Sequence, residues 1–400
     1  MENDQRIGWT DLNRQLAIVK ALNALYYCSN AVLLPYLPLY FAFKGYTAVE
    51  VGLLLMVGPF VAIVAQPVWG YVSDRFQTVK WVLLLLWSLQ LLCSIGLFTV
   101  TGFPITLLFT TLLYFFLMPS SPLLDSLTIR SATDAGVSYG TVRMWGSIGF
   151  SIFAALSGAI LVAIGGVDNL KWIYWGVWLF PMLLAALLKD VKASAPPITL
   201  RSLSTVVRSR PLLWFLLLVF VMMLPHRMND GFLGLHMSDL GASEQMVGLA
   251  WSIAALSEVP TFALLHRYLH KVHELALIGV VGLLYVVRWI VYALATDPLL
   301  LLVMQASHSI TYAVFWVSAV AYVVRIVPNE FRSTGQSILS AMFVGVTGLA
   351  SGTLGGWIEG WGGYESAYMI GAVVAGIAGV AFLLTHAAQR GTLRRGSRGT

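Results

Sequence analysis

The chain has 400 residues, of which 58% are apolar and only 10% charged. Soluble domains carry about a quarter charged residues, so this composition excludes an ordinary soluble globule and points to a membrane protein. The net charge of +6 is spread between apolar runs rather than gathered on one face, which argues against a nucleic-acid partner. Cys28 and Cys93 both fall inside apolar runs. Neither a disulfide framework nor a zinc site is expected, and no metal or other cofactor.

A helix needs about 20 apolar residues to cross a bilayer. Residues 1–15 are polar and mixed in charge, and the first apolar run is too long for a signal-peptide core, so it is expected to be retained. Twelve runs follow in order: Ala17–Phe43, Ala48–Val72, Val79–Val100, Pro104–Ile129, Tyr139–Gly165, Leu170–Leu188, Leu212–Gly234, Met246–Leu265, Leu275–Ala295, Pro298–Val324, Ser333–Trp357 and Ser366–Leu384. Pro35 and Pro38 are expected to bend the first helix and Pro225 the seventh. The longest polar gap contains Pro196 and Pro197 and reads as a linker. The expected organisation is therefore 1–189 for a first six-helix half, 190–210 for the linker, 211–386 for a second half and 387–400 for a basic tail.

Lys and Arg set the orientation. Arg75, Lys80, Arg130, Lys189, Lys192, Arg201, Arg208, Arg210, Arg267, Lys271, Arg325 and Arg332 fall at breaks on one side, and the tail adds Arg390, Arg394, Arg395 and Arg398. The opposite loops hold only Lys44 and Lys171. Both termini are expected in the cytoplasm, with the chain in the plasma (inner) membrane.

The halves also repeat. At a shift of about 196 residues Gly45 meets Gly241 and Val51-Gly52 meets Val247-Gly248, and near it Arg130 meets Arg325 and Gly140 meets Gly335.

Between the second and third runs stands Gly70-Tyr71-Val72-Ser73-Asp74-Arg75-Phe76-Gln77-Thr78-Val79-Lys80. Gly70 is expected to let two helices approach, Asp74 to sit just past a helix end, and Arg75 and Lys80 to mark a cytoplasmic loop. The stretch resembles the Gly-x-x-x-Asp-Arg-x-x-x-x-Lys/Arg signature of the major facilitator superfamily, with Gln77 where that family often has Gly. Arg325 to Arg332 resembles the family's corresponding loop in the second half. The resemblance runs from Ala17 to Leu384. It implies an all-α membrane protein with twelve transmembrane helices in two six-helix pseudo-repeats, and a substrate site at mid-depth between the halves.

Ionisable residues inside spans are costly and usually functional. Asp125 and Arg143 each lie about 5–8 Å inside the inner surface, at equal depth on neighbouring helices, and can pair. Glu258, His308 and Arg288 place an acid, an imidazole and a guanidinium in the second half. An acid beside an arginine and a histidine can exchange a proton if its surroundings alternate between buried and wet. His226, Arg227, Asn229 and Asp230 lie on the seventh helix, toward its outer end. Arg227 and Asp230 are three residues apart and can pair on one face, as an outer gate.

This set is similar to the lactose-permease-like proton symporters, a branch that includes oligosaccharide, nucleoside and phenylpropionate transporters. The resemblance implies that Asp125 and Arg143 contact substrate while Glu258, Arg288 and His308 handle the proton. Two departures weaken the sugar version: Ser309-Ile310-Thr311 follows His308 without a further acid, and Phe150 stands where a sugar-stacking Trp is found. Arg143 to Phe150 and Ser257-Glu258-Val259-Pro260 look more like the phenylpropionate type.

Other motifs lead nowhere. Gly136-Val137-Ser138-Tyr139-Gly140 matches a nucleophile elbow but opens a span instead of following a strand. His266, His270 and His273 read as a solvated loop. No phosphate-binding Gly-rich loop is present, so ATP is not the energy source. The expectation is a non-enzymatic, monomeric carrier whose partners are a small organic solute, protons and the lipid bilayer. It would import an aromatic acid, sugar or nucleoside with protons; the alternative is proton-driven efflux of a drug or sugar. Glu258, Arg288 and His308 would couple the proton. Asp125, Arg143, Asn30 and Phe150 would bind substrate, and Gly70, Asp74, Arg75, Arg227 and Asp230 would gate. Tyr26, Tyr27, Tyr36, Phe115 and Trp316 are candidate lining residues.

Overall fold

The computed structural model describes residues 9–188, 190, 209–264, 272–328 and 331–396. Most of the expected linker falls outside the described residues, as do His266, His270 and Lys271.

The first half contains α1 (Trp9–Phe43), α2 (Ala48–Phe76) and α3 (Lys80–Thr99). It continues with α4 in two pieces (Phe103–Leu117 and Ser120–Asp134), α5 (Tyr139–Ala163) and α6 (Leu170–Ala186). The second half contains α7 (Arg210–Asp239), α8 (Glu244–Leu264) and α9 (Glu274–Ala293). α10 runs from Pro298–Met304 through a 3₁₀ turn (Gln305–Ser307) and a π-helical stretch (Ser309–Ala313) to Val314–Ile326. α11 opens with Arg332–Ser340 and a second π stretch, Ala341–Val346. The last segment, Thr347–Gly396, turns at Gly363, whose φ of 68° and ψ of −179° are not helical; α11 ends there and α12 leaves from it.

Among the described residues nine helices are long and apolar enough to cross a membrane. The turn at Gly363 divides one of them in two. With the 17-residue α6 and with α8, which carries Glu244 and Glu258, the architecture is consistent with twelve crossings. In lipid every backbone group must be satisfied within its own segment, which is why the chain is helical almost throughout.

Several expectations shift. Pro35, Pro38 and Pro225, expected to bend α1 and α7, all lie inside those helices, and α4 is broken as well, at Met118-Pro119, where proline withholds a helical hydrogen bond. α2 runs to Phe76, so Asp74 lies within its last turn rather than past it. Gln77 caps that helix at φ 54°, ψ 37°, a left-handed conformation. A side chain there is strained, which gives glycine its advantage at this position. Lys80 Nζ then receives the unpaired carbonyls at the end of α6, donating to Ala186 and Leu188 at 2.8 and 2.7 Å.

The halves meet at the end away from the termini. A Cβ on Gly52 would strike the Gly352 carbonyl, one on Gly248 the Ala154 carbonyl, and one on Gly158 the Glu244 carbonyl. Backbone thus lies directly on backbone, as small residues permit between membrane helices. The Tyr36 hydroxyl bridges this seam, 2.9 Å from the Ala154 carbonyl and 3.4 Å from that of Glu244. Gly70, at the opposite end, has nothing within 4 Å of where a Cβ would sit, so the close approach expected there is not made in this state. The seam is closed far from the termini, and the Gly70 surface is not engaged in this state.

Candidate functional site

Two adjoining cavities lie between the halves, of about 280 and 290 Å³. Leu34, Arg227, Asp230 and Trp251 border both. The first also reaches Phe150 from α5 and Glu258, His308, Tyr312 and Phe343 from the second half. Phe150 and Trp251 face each other with ring centroids 6.2 Å apart.

The expected trio assembles against this cavity. Arg288 is 1% exposed, yet its guanidinium is well bonded. It donates to Gln305 Oε1 at 2.7 Å, Thr311 Oγ1 at 3.0 Å, the Tyr292 hydroxyl at 3.1 Å and His308 Nδ1 at 3.3 Å. A guanidinium has only donors, so His308 Nδ1 must be the acceptor and a neutral ring carries its proton on Nε2. Nε2 stands 3.0 Å from Glu258 Oε1. Arg288 thus fixes the tautomer, and His308 presents its N–H to the carboxylate. The irregular middle of α10 brings this about: Gln305, His308 and Thr311 come from the 3₁₀ turn, the junction and the π stretch. The other π stretch carries Phe343 to the same cavity. π distortions inside helices gather at functional sites.

Arg227 and Asp230 stand elsewhere than expected. α7 continues to Asp239, because His236 is buried and its Nε2 lies 3.0 Å from the Tyr292 carbonyl, so the polar end of the run stays helical. The pair therefore sits mid-helix on the cavity wall, joined Nη1 to Oδ2 at 2.8 Å.

Asp125 and Arg143 do pair, at 3.4 Å. Tyr139 donates its hydroxyl to the same carboxylate oxygen at 2.9 Å, and the guanidinium lies 3.9 Å from the Tyr27 ring centre. This cluster forms apart from the residues lining the two central cavities.

Asn30 is buried and donates to the Tyr26 carbonyl of its own helix. Tyr26 packs against Trp87 and Trp178 in the core of the first half, Tyr36 serves the seam, and Phe115 packs against Trp69 and Phe116. None of these four lines the two cavities, because large side chains in spans fill gaps between helices before they face an opening. Trp316 stacks on Tyr312 and packs at a tilt against Phe343, behind the wall. The sequence reading missed Trp251, Gln305, Tyr312 and Phe343. Gln305, a polar residue inside an apolar run, gave a signal; the three aromatics gave none.

Residues 16–370 match the model of the MFS_1 like family. The chain belongs to that family. It is a multi-pass membrane transporter of the major facilitator superfamily. The transporter is 28% identical over 325 residues to the maltose permease of Geobacillus stearothermophilus, covering 78% of this chain and 79% of that one. It is 26% identical over 325 residues to the probable 3-phenylpropionic acid transporter of Escherichia coli (strain K12), covering 80% and 85%. The crystal structure of a mutant of the nucleoside transporter NupG superposes with a TM-score of 0.82 at 16% identity, covering 92% of this chain and 99% of that one.

Proposed function

We propose that this transporter carries a small organic solute together with protons, by alternating access around the central cavity. The observation that carries the reading is the chain Arg288–His308–Glu258, which ends in a carboxylate on the cavity wall. Glu258 takes the proton, His308 shares it, and Arg288 orients the imidazole. The aromatic walls at Phe150, Trp251, Tyr312 and Phe343 suit the flat or ringed solutes named for the relatives, a sugar, an aromatic acid or a nucleoside. The Asp125–Arg143 pair contacts the solute on its way through the first half, and Asp74 and Arg75 gate the end bearing the termini. Charge distribution supports a plasma-membrane carrier with cytoplasmic termini. One chain encloses the cavity, so a monomer suffices.

Uptake into vesicles carrying an imposed proton gradient tests the reading. A solute from one of these classes is expected to accumulate uphill and to leak back when a protonophore is added. Accumulation indifferent to the protonophore overturns proton coupling, and accumulation only against an inwardly acid gradient assigns efflux instead.

A further inference from the structure

The coupling mechanism leaves unused the buried imidazole of His226 and the ion pair beside it on α7. His226, like His308, lies between a polar partner at Nδ1 and a carboxylate facing Nε2, although its carboxylate is beyond hydrogen-bond distance. Its Nδ1 lies 3.1 Å from the Tyr285 hydroxyl of α9, and its Nε2 faces Asp230 Oδ1 at 3.9 Å. The two imidazoles stack with centroids 5.3 Å apart, and each also lies against Tyr312, at 5.0 and 5.1 Å. We propose that Asp230 and His226 form a second proton-holding pair, alternating with Glu258 and His308, and that Arg227 is the group a substrate's oxygen acceptors draw away from Asp230. The proposal rests on the proton-symport reading above.

The charged and titratable groups around His226 come from four helices. Arg227 and Asp230 share α7, Tyr285 and Arg288 come from α9, and His308 and Tyr312 come from α10. Glu258 of α8 lines the same cavity, and Phe343 of α11 closes the stack. Two imidazolium rings this close, with two guanidiniums nearby, repel strongly in a weakly screened interior. A proton held at one pair therefore disfavours a second proton at the other.

The two arginines differ in burial and in number of partners. Arg288 is fully buried and tied to four partners. Arg227 is a quarter exposed, borders both cavities and is joined to Asp230. Like that of Arg288, its Nε is buried without a hydrogen-bond partner among the described residues, and its guanidinium lies 5.3 Å from the Phe343 ring centre. With both imidazoles neutral, Arg227 and Arg288 balance Asp230 and Glu258. A solute carboxylate that recruits Arg227 adds a negative charge and leaves Asp230 uncompensated, and one proton bound there restores the balance; a neutral hydroxyl that draws Arg227 away raises the proton affinity of Asp230 without changing the charge count. Solute binding thereby alters proton affinity through a single side chain.

Infrared spectra of the purified, substrate-free carrier in detergent test this across a pH series, with Glu258→Gln, Asp230→Asn, Arg227→Gln and the Glu258→Gln/Asp230→Asn double variant. Glu258→Gln should keep a titrating carboxylic-acid band that the double variant loses. Arg227→Gln should raise the protonated fraction of that band at a given pH. Asp230→Glu retains an acid at the position and should shift the band rather than remove it, which separates the assignment from misfolding. Identical titrations of Glu258→Gln and the double variant overturn the proposal. Failure of wild-type uptake to respond to a proton gradient sinks the symport reading instead, and the spectra report on Asp230 independently of it.

Discussion

Gly45 and Gly241 stand 196 residues apart in the same left-handed conformation, with φ of 84° and 88°. Each ends the turn before a capped helix. Thr47 and Glu50 form a reciprocal cap on α2, and Ser243 Oγ accepts the Met246 N–H on α8. The two halves therefore repeat a backbone geometry and a capping residue. Space is open around both glycines, so a substitution there is penalised by conformation alone. Gly45→Ala and Gly241→Ala should each cost about 1–2 kcal/mol, and asparagine should cost less. Thermal unfolding in detergent reads the difference; an alanine variant as stable as wild type would contradict the shared-turn account.

What could be read from the chain follows from this. Apolar run length and loop charge do not depend on packing, so the element order and the internal repeat were visible. The partnership of Asp125 with Arg143, and of Glu258 with His308 and Arg288, could also be read, because charge inside a span demands a partner. Cavity walls were not legible. Tyr26 and Tyr36 are chemically like Tyr312, and only tertiary packing sends two of them to the core or the seam and the third to the cavity. The mid-helix position of Arg227 and Asp230 was hidden because His236 and Asp239 look like loop residues until His236 finds the Tyr292 carbonyl.

The Asp125–Arg143 pair is partly exposed, with side-chain accessibilities of 31% and 28%. A pair of this kind stabilises the fold by about 1 kcal/mol or less. Asp125→Asn and Arg143→Gln should thus leave the unfolding temperature nearly unchanged while lowering solute uptake at least tenfold. Uptake at the wild-type rate in both variants would show that the pair only trims the inner surface.

His273 stands at the residue before α9, at the end bearing the termini and outside the span. Its Nε2 accepts from Arg325 at 2.9 Å, and Arg325 also pairs with Glu274 at 3.2 Å. Burial, then the Arg325 charge, push the imidazole below its ordinary range. The unfolded chain therefore binds the extra proton first, near pH ~6.5, and stability falls as pH drops below that value. Above it the contribution is fully present. Acidification from pH ~7.5 to ~5.5 should lower the unfolding temperature more in wild type than in His273→Gln. Equal losses would remove His273 from the pH response.

The central claim is that Glu258 exchanges the proton that drives transport. Glu258→Gln removes the proton but keeps the shape, and the amide carbonyl of the variant can still receive the His308 N–H. The most direct measurement is solute movement by this variant in vesicles, once with a proton gradient and once with solute on both sides. The account predicts that gradient-driven accumulation is lost while solute exchange continues at a rate close to wild type. Accumulation against the gradient at the wild-type level would contradict it.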